Sequence, residues 1–172
     1  IDFEAFAKLI EWQITEGIDA IVVAGTTGEG STLTDQEHKA AIKFCVDTVA
    51  GRVPVIAGTG SNDIAYAISL TKYACEVGAD AMLLVSPYYN KATQNGLIGH
   101  FSAVAKEVTA PIIMYSVASR TGCNIDPATV AELVKNVDNI VGVKEASGNI
   151  SQVAKIMSLT DGNLSLIHIS EP

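Results

Sequence analysis

One stretch decides the fold: Ile140-Val141-Gly142-Val143-Lys144-Glu145-Ala146-Ser147-Gly148. Its short β-branched beginning predicts a buried strand, and helical patterns lie on both sides of it. Lysine is rarely buried unless it is paired or used chemically. Desolvation lowers the pKa of an amine, and a neutral amine can attack a carbonyl to form a Schiff base. Lys144 is therefore a candidate catalytic residue, and the alternative is a strand-end lysine that extends to water.

This strand is the last of five short apolar runs that alternate with helical patterns, at about residues 20–24, 54–57, 81–85, 111–115 and 140–144. Six amphipathic segments accompany them, and their start signals include a capping box at Thr34 and Glu37 and an N-cap at Asp126 before Pro127. This alternation predicts a parallel α/β sheet. Periodicity alone does not distinguish an open doubly wound sheet from a segment of a closed barrel.

The composition excludes several classes of protein. With 172 residues, 48% of them hydrophobic and 17% charged, the chain is long and apolar enough to bury a core. Its net charge of -8 argues against nucleic acid and anionic membrane surfaces, since both attract clustered Lys and Arg. No apolar run reaches the roughly 18 residues of a membrane span. Cys45, Cys75 and Cys123 lack metal-binding spacing, so we predict no metal site and a reduced, cytoplasmic compartment.

Polar residues follow the predicted strands at their carboxyl ends, where parallel α/β folds place active sites. The first strand is followed by Gly25-Thr26-Thr27-Gly28-Glu29-Gly30, which is either an anion-binding loop or an ordinary turn. The third is followed by Ser86-Pro87-Tyr88-Tyr89-Asn90, and the fourth by Tyr115 and Ser119-Arg120-Thr121-Gly122. A tyrosine alone fits rim packing, and an arginine alone fits a surface charge. Their convergence with Lys144 at one edge predicts a functional site.

Four motifs in this order resemble the dihydrodipicolinate synthase family: Gly25-Thr26-Thr27-Gly28-Glu29, Pro87-Tyr88-Tyr89-Asn90, Tyr115 with Ser119-Arg120-Thr121-Gly122, and Gly142-Val143-Lys144-Glu145-Ala146. The resemblance implies a (β/α)8 TIM barrel, here incomplete, with the second to sixth strands and six helices. It also implies a Schiff-base-forming lyase that needs no metal or organic cofactor. The implied reaction condenses pyruvate with aspartate semialdehyde to 4-hydroxy-tetrahydrodipicolinate, in diaminopimelate and lysine biosynthesis.

The resemblance implies a role for each site residue. Lys144 forms the Schiff base with pyruvate, and Thr26 and Thr27 hold the pyruvate carboxylate. Tyr115, Thr26 and Tyr89 form a proton relay, in which Tyr89 reaches into the site of a neighbouring subunit. This use of Tyr89 requires at least a dimer, and the family implies a dimer of dimers.

Arg120, at the mouth of the site, separates the synthase from its nearest relatives. The resemblance implies that it binds the carboxylate of the semialdehyde. N-acetylneuraminate lyase and the 2-keto-3-deoxy sugar-acid aldolases share the lysine and the tyrosine, but they resemble the first loop less closely and generally lack that arginine context. The alternative from another class is a non-catalytic α/β ligand-binding domain, in which Lys144 is a plain counter-ion.

The chain departs from the family pattern in the arginine loop and in the allosteric lysine site. Ala118 replaces a proline before the arginine loop, which predicts a looser loop. The second departure lies in the allosteric lysine site of inhibited members. His38, Asn62 and Tyr88 match that site, whereas Tyr66 replaces a carboxylate that would pair with the ligand's amine. Gly30 and Asp35 also differ. We therefore predict that the parent enzyme is insensitive to lysine.

The end of the chain also departs from the family, because Leu164-Ser165-Leu166-Ile167-His168-Ile169-Ser170-Glu171-Pro172 resembles the translation of a transposase-type sequencing adapter. We predict a partial barrel domain at residues 1–163 and a non-native tail at residues 164–172, in which His168 has no function. The alternation in residues 164–169 nevertheless suits the tail to pair as a strand. A whole barrel needs roughly 250 residues, so we expect the chain by itself to be inactive.

Overall fold

A computed structural model describes residues 1–162 and 164–168. The predicted strands are confirmed as Ile21–Val23 (β1), Val55–Gly58 (β2), Ala81–Val85 (β3), Ile112–Ser116 (β4) and Ile140–Glu145 (β5). A further strand, Ser165–His168 (β6), gives the described chain six strands rather than the five predicted for the barrel. It lies in the predicted tail, and it pairs parallel to β5 with Gly142 opposite Ser165. The alternation of apolar residues at positions 164–169 predicts that the tail pairs as a strand in this way. Residue 163 and tail residues 169–172 lie outside the described residues.

The six predicted helices are confirmed as Phe3–Thr15 (α1), Asp35–Val49 (α2), Ile64–Glu76 (α3), Gln94–Ala105 (α4), Pro127–Asn136 (α6) and Ile150–Leu159 (α7). The count of six was too low, because Ala118–Thr121 forms a short additional helix (α5) after β4. Four residues are too few to show a helical period in the sequence. No helix among the described residues is long and apolar enough to cross a membrane.

The start signals that the sequence predicts, which include Asp2 as the cap of the first helix, hold with one exception. Asp2 caps α1, and Thr34 and Glu37 form both bonds of the capping box of α2. Asp126 occupies the N-cap position of α6, but its side chain makes no capping bond. Its carboxylate accepts a hydrogen bond from Nδ2 of Asn124 at 2.9 Å instead. A nearby side-chain amide has therefore replaced the helix as the partner of this carboxylate.

The strand order separates a barrel segment from a doubly wound sheet. All five pairings are parallel, and the strands lie side by side in chain order from β1 to β6. A doubly wound sheet reverses its order at a switch point, and this sheet does not. The main core joins one face of the strands to the helices, through residues such as Met82, Met114 and Phe101. A smaller cluster around Leu83 and Tyr115 contains no helical residue, so it marks the concave face of the barrel segment.

Two buried histidines of the fold differ in their hydrogen bonding. His38 lies 2.9 Å from the carbonyl oxygen of Gly58 through Nε2, whereas Nε2 of His100 has no hydrogen-bond partner among the described residues. Burial lowers the pKa of both side chains. The histidine pKa in the unfolded chain is about 6.5, so below that pH the unfolded chain binds more protons than the folded chain. The free energy of unfolding therefore falls as the pH is lowered.

We expect His100→Leu to raise the free energy of unfolding at pH 7 by about 1 kcal/mol, because it removes a buried polar atom that lacks a partner. It should also flatten the loss of stability below about pH 6.5. Urea unfolding at several pH values measures both effects. His38→Leu is the matched control and should destabilise, since it leaves the carbonyl of Gly58 without the ring nitrogen. Equal losses in the two variants would contradict the prediction.

Candidate active site

Lys144 and Tyr115 face each other on adjacent strands at the carboxyl edge of the sheet. They are direct partners in the β4–β5 register, and Nζ of Lys144 lies 4.3 Å from the centroid of the Tyr115 ring. This is cation–π geometry. Tyr115 is buried and Lys144 is half-buried, so the amine does not simply extend into water. The structure therefore brings the predicted nucleophile and the predicted proton carrier into contact.

The glycine-rich loop after β1 folds back as a tight turn. The N–H of Glu29 donates to the carbonyl of Thr26 at 3.0 Å, and the N–H of Gly30 donates to the carbonyl of Gly25 at 3.2 Å. Those two N–H groups close the turn and are not offered to an anion. A Cβ on Gly30 would lie 2.2 Å from the carbonyl oxygen of Ala24, so glycine is needed there. The turn leaves Thr26 and Thr27 exposed.

A cavity of about 210 Å³ lies at this edge and joins several of the predicted residues. Thr26, Tyr115 and Arg120 all line it, although they come from three separate segments of the chain. Lys144 does not line the cavity, but its amine contacts the ring of Tyr115, which does line it. Thr27 does not line it either. Tyr115 is therefore the residue that connects Lys144 to the cavity.

Tyr89 lies apart from this cavity within the chain. Its side chain is 88% exposed, and its backbone has a φ of 70°, which is unusual for an aromatic residue. The N–H of Tyr89 donates to the carbonyl of Thr121 at 3.3 Å, so the loop that holds it is tied to α5. Backbone conformations of this kind concentrate at functional sites. Tyr89 is therefore presented outward on an anchored loop rather than toward Tyr115.

The loop after β4 presents Arg120 on the short helix α5. Arg120 is exposed, while its neighbour Thr121 is buried. Oγ1 of Thr121 donates to the carbonyls of Val117 and Cys123, and it accepts a hydrogen bond from Oγ of Ser86 at 3.3 Å. The sequence marks Ser86 and Thr121 only as polar residues near strand ends. Their buried hydrogen bonds fix the base of the arginine loop.

Histidine and tyrosine side chains that the family resemblance placed at the allosteric lysine site form a wall beside this cavity. His38 and Tyr88 line the same cavity as Tyr115. The ring of Tyr66 packs edge-on to His38 at 6.5 Å between centroids. Burial raises the pKa of Tyr66, so its phenol is neutral at neutral pH. His38 and Tyr66 are uncharged near pH 7, because burial lowers the pKa of the first and raises the pKa of the second. Arg120 is the charged side chain that lines the cavity in the described chain.

Glu145 is a buried acid to which the sequence analysis gave no role. It ends β5 directly after Lys144, and its side chain is 0% exposed. Strand alternation would have placed it on the face opposite Lys144, toward the helices. Within the described ranges, no group of His, Cys, Asp and Glu side chains could hold a metal ion.

Comparisons with known proteins agree with this geometry. Residues 1–168 match the Dihydrodipicolinate synthetase family. The 4-hydroxy-tetrahydrodipicolinate synthase of Thermoanaerobacter sp. (strain X514) is 58% identical over 156 residues, which are 91% of this chain and 52% of that protein. The corresponding enzyme of Lachnoclostridium phytofermentans is 55% identical over 166 residues, which are 96% of this chain and 56% of that protein. The chain thus spans about half the length of the curated relatives it matches.

Solved structures give the same result for the fold. The dihydrodipicolinate synthase of Aquifex aeolicus has a TM-score of 0.95 and 47% identity, covering 97% of this chain and 57% of that chain. The chloride-inhibited dihydrodipicolinate synthase of Acinetobacter baumannii, in complex with pyruvate, has a TM-score of 0.94 and 43% identity. It covers 98% of this chain and 57% of its own. The six strands thus match a little over half of a known enzyme fold.

Proposed function

Because this chain belongs to the dihydrodipicolinate synthetase family, we propose that it carries the Schiff-base half of a site that condenses pyruvate with aspartate semialdehyde. The product is 4-hydroxy-tetrahydrodipicolinate, an intermediate in the diaminopimelate route to lysine. One observation supports this most directly, namely the 4.3 Å contact between the Lys144 amine and the Tyr115 ring at the strand ends. An amine held against a buried phenol is suited to imine chemistry.

The chemistry follows from these two side chains. The neutral amine of Lys144 attacks the carbonyl carbon of pyruvate, and loss of water leaves the imine. The imine accepts electrons when the pyruvate methyl group loses a proton, and this gives an enamine. The enamine carbon then attacks the aldehyde carbon of the second substrate, and the aldehyde oxygen takes up a proton. The amino group of the semialdehyde next displaces the Lys144 amine from the imine, which closes the ring and frees the lysine. Tyr115 carries protons to and from the leaving hydroxyl group, with Thr26 as its partner at the same cavity.

The two carboxylates of the substrates have separate binding groups in this proposal. Thr26 and Thr27 hold the pyruvate carboxylate on the exposed turn after β1. Arg120 lines the cavity from the other side and binds the carboxylate of the semialdehyde. An arginine there suits a short substrate that ends in an acid. This feature favours the synthase over N-acetylneuraminate lyase and the sugar-acid aldolases.

We further propose that the whole enzyme is a cytoplasmic homo-oligomer, arranged as a dimer of dimers. Tyr89 completes the proton relay in the neighbouring subunit, which accords with its 88% exposure and its anchored loop. The cysteines Cys45, Cys75 and Cys123 are free thiols, as a reducing compartment would keep them. Because catalysis draws on a neighbouring subunit and on a whole barrel, we expect the chain by itself to be inactive in turnover.

Borohydride reduction in the presence of pyruvate, followed by intact mass measurement, tests the proposal on the chain itself. A single reduced pyruvyl adduct is the expected result. Turnover is then tested on a barrel completed with the remaining segments of the Thermoanaerobacter relative, using aspartate semialdehyde, N-acetylmannosamine and glyceraldehyde as second substrates. Turnover of the semialdehyde alone supports the synthase. Preference for either sugar substrate would contradict it, and a folded chain without any adduct would favour a ligand-binding domain.

Lysine is expected not to inhibit the completed enzyme. Tyr66 lies beside His38 where an inhibited enzyme would need a carboxylate to pair with an ammonium group. Its half-buried phenol has a raised pKa and supplies no negative charge. We expect unchanged turnover in millimolar lysine, and Tyr66→Glu should create inhibition. Tyr73→Glu, at another half-buried tyrosine of α3, serves as the control. Half-inhibition of the unmodified enzyme by submillimolar lysine would refute this.

A further inference from the structure

Glu145 is a buried acid that the proposed reaction does not use. Its side chain is 0% exposed, yet its carboxylate has two donors. The N–H of Ser147 donates to Oε1 at 2.7 Å, and Nε2 of Gln152 donates to Oε2 at 2.8 Å. Burying a carboxylate costs several kcal/mol, and an apolar residue often serves equally well for stability alone. Retention of this acid therefore points to a task other than filling the core.

Gln152 extends the network to the loop that carries Arg120. Its Nε2 also donates to Oδ1 of Asn124 at 3.0 Å, and its Oε1 accepts from Nδ2 of Asn124 at 3.0 Å. Asn124 lies three residues after the end of α5, whose third residue is Arg120. A continuous set of hydrogen bonds thus joins the end of the Lys144 strand to the base of the arginine loop.

The carboxylate decides which way the Gln152 amide points. Both hydrogens of Nε2 are used, one toward Glu145 and one toward Asn124, so Oε1 is free to accept from Asn124. A neutral amide at position 145 would offer one acceptor for two donors. It would present its NH₂ group either to the Ser147 N–H or to Nε2 of Gln152, and that bond would be lost. Only a side chain with two acceptor oxygens satisfies the whole arrangement.

We propose that Glu145 is a positioning residue that holds the Arg120 loop in register with Lys144 by way of Gln152 and Asn124. The proposal rests on the proposed function, because it assigns the two substrates to Lys144 and Arg120. It also explains how the loop is ordered where Ala118 replaces the family's proline. Side-chain hydrogen bonds then take over a constraint that a proline ring would place on the backbone.

Amide hydrogen exchange on the whole 172-residue chain tests the positioning directly. In Glu145→Gln, exchange at residues 120–123 should rise about tenfold, since losing one such hydrogen bond costs roughly that factor. Exchange in α3 should not change. Glu132→Gln is the matched control, because it removes the same charge from an exposed site on α6.

Asn124→Ala provides a second variant that leaves both bonds of Glu145 intact. It should raise amide exchange at residues 120–123 by the same factor. If Glu145→Gln does not fold, this variant alone tests the proposal. Unchanged exchange at residues 120–123 in the variants would overturn the proposal. A uniform rise that includes α3 would also overturn it, because Glu145 would then act on global stability alone.

Pyruvate trapping separates this proposal from the proposed function. In Glu145→Gln the half-saturating concentration of aspartate semialdehyde for turnover of the completed barrel should rise about tenfold, because Arg120 binds that substrate, while the rate of pyruvate trapping should stay the same. The half-saturating pyruvate concentration should stay the same, because Thr26 and Thr27 lie on another loop. An unmodified chain that traps no pyruvate would refute the function, while hydrogen exchange would still decide the positioning. An unchanged half-saturating concentration of aspartate semialdehyde in a variant with increased exchange would overturn the link between this network and the second substrate.

Discussion

Lys144→Ala is expected to abolish the pyruvyl adduct altogether, while leaving the chain folded. The substitution removes the amine that forms the imine, and no other described lysine lies against the Tyr115 ring. The expected measurement is an intact mass that does not change after incubation with pyruvate and borohydride. Circular dichroism and urea unfolding of the variant check the fold, since a half-buried lysine at a strand end contributes little to the core.

Two control variants make this result specific. Lys155→Ala removes an exposed lysine from α7 and should leave the adduct unchanged. Lys144→Arg keeps the positive charge but supplies no amine for an imine at any accessible pH, so it should also form no adduct. If Lys144→Arg binds pyruvate as well as the unmodified chain and neither is trapped, Lys144 is a counter-ion and the binding-domain interpretation is correct. An adduct that persists in Lys144→Ala would place the imine on another lysine.

The arrangement of the strands was predictable because each strand is a short apolar run with helical patterns beside it. The runs at residues 81–85 and 140–144 match β3 and β5 to within one residue. Whether the sheet forms part of a barrel was not predictable from periodicity, because helices on one face or on both give the same pattern. Strand order decided it, and order is a property of contacts between segments far apart in the chain.

The candidate site was also predictable from the sequence only in part. Lys144 stands out in the sequence because a charge at the end of an apolar run is costly. Its contact with Tyr115 depends on the β4–β5 register, which has an irregularity between Ile112 and Ile113 that no local pattern shows. Strand alternation places Glu145 on the face opposite Lys144, but it does not show what a carboxylate there would bind. Its partners, the N–H of Ser147 and the amide of Gln152, come from the loop and the helix that follow the strand, so they appear only in the fold.

Tyr115→Phe is expected to slow imine formation by a factor of about 10² to 10⁴, the usual contribution of a positioned acid–base group. The change removes one oxygen and keeps the ring on which Lys144 rests, so the amine stays in place. Tyr115 is buried, and phenylalanine fills the same space. The loss should therefore appear much more strongly in the trapping rate than in the unfolding free energy, to which one hydroxyl contributes about 1 kcal/mol.

Tyr88→Phe is the matched control, because Tyr88 lines the same cavity and has the same chemistry without contact with Lys144 in the proposal. Its trapping rate should stay within a factor of a few of the unmodified chain. Rapid-quench trapping at saturating pyruvate compares the two variants under conditions in which binding does not limit the rate. A Tyr115→Phe chain that traps pyruvate as fast as Tyr88→Phe would mean that the ring face alone positions the lysine. The proton would then have to come from Thr26, water or the neighbouring subunit's Tyr89, and the relay would need a different first member.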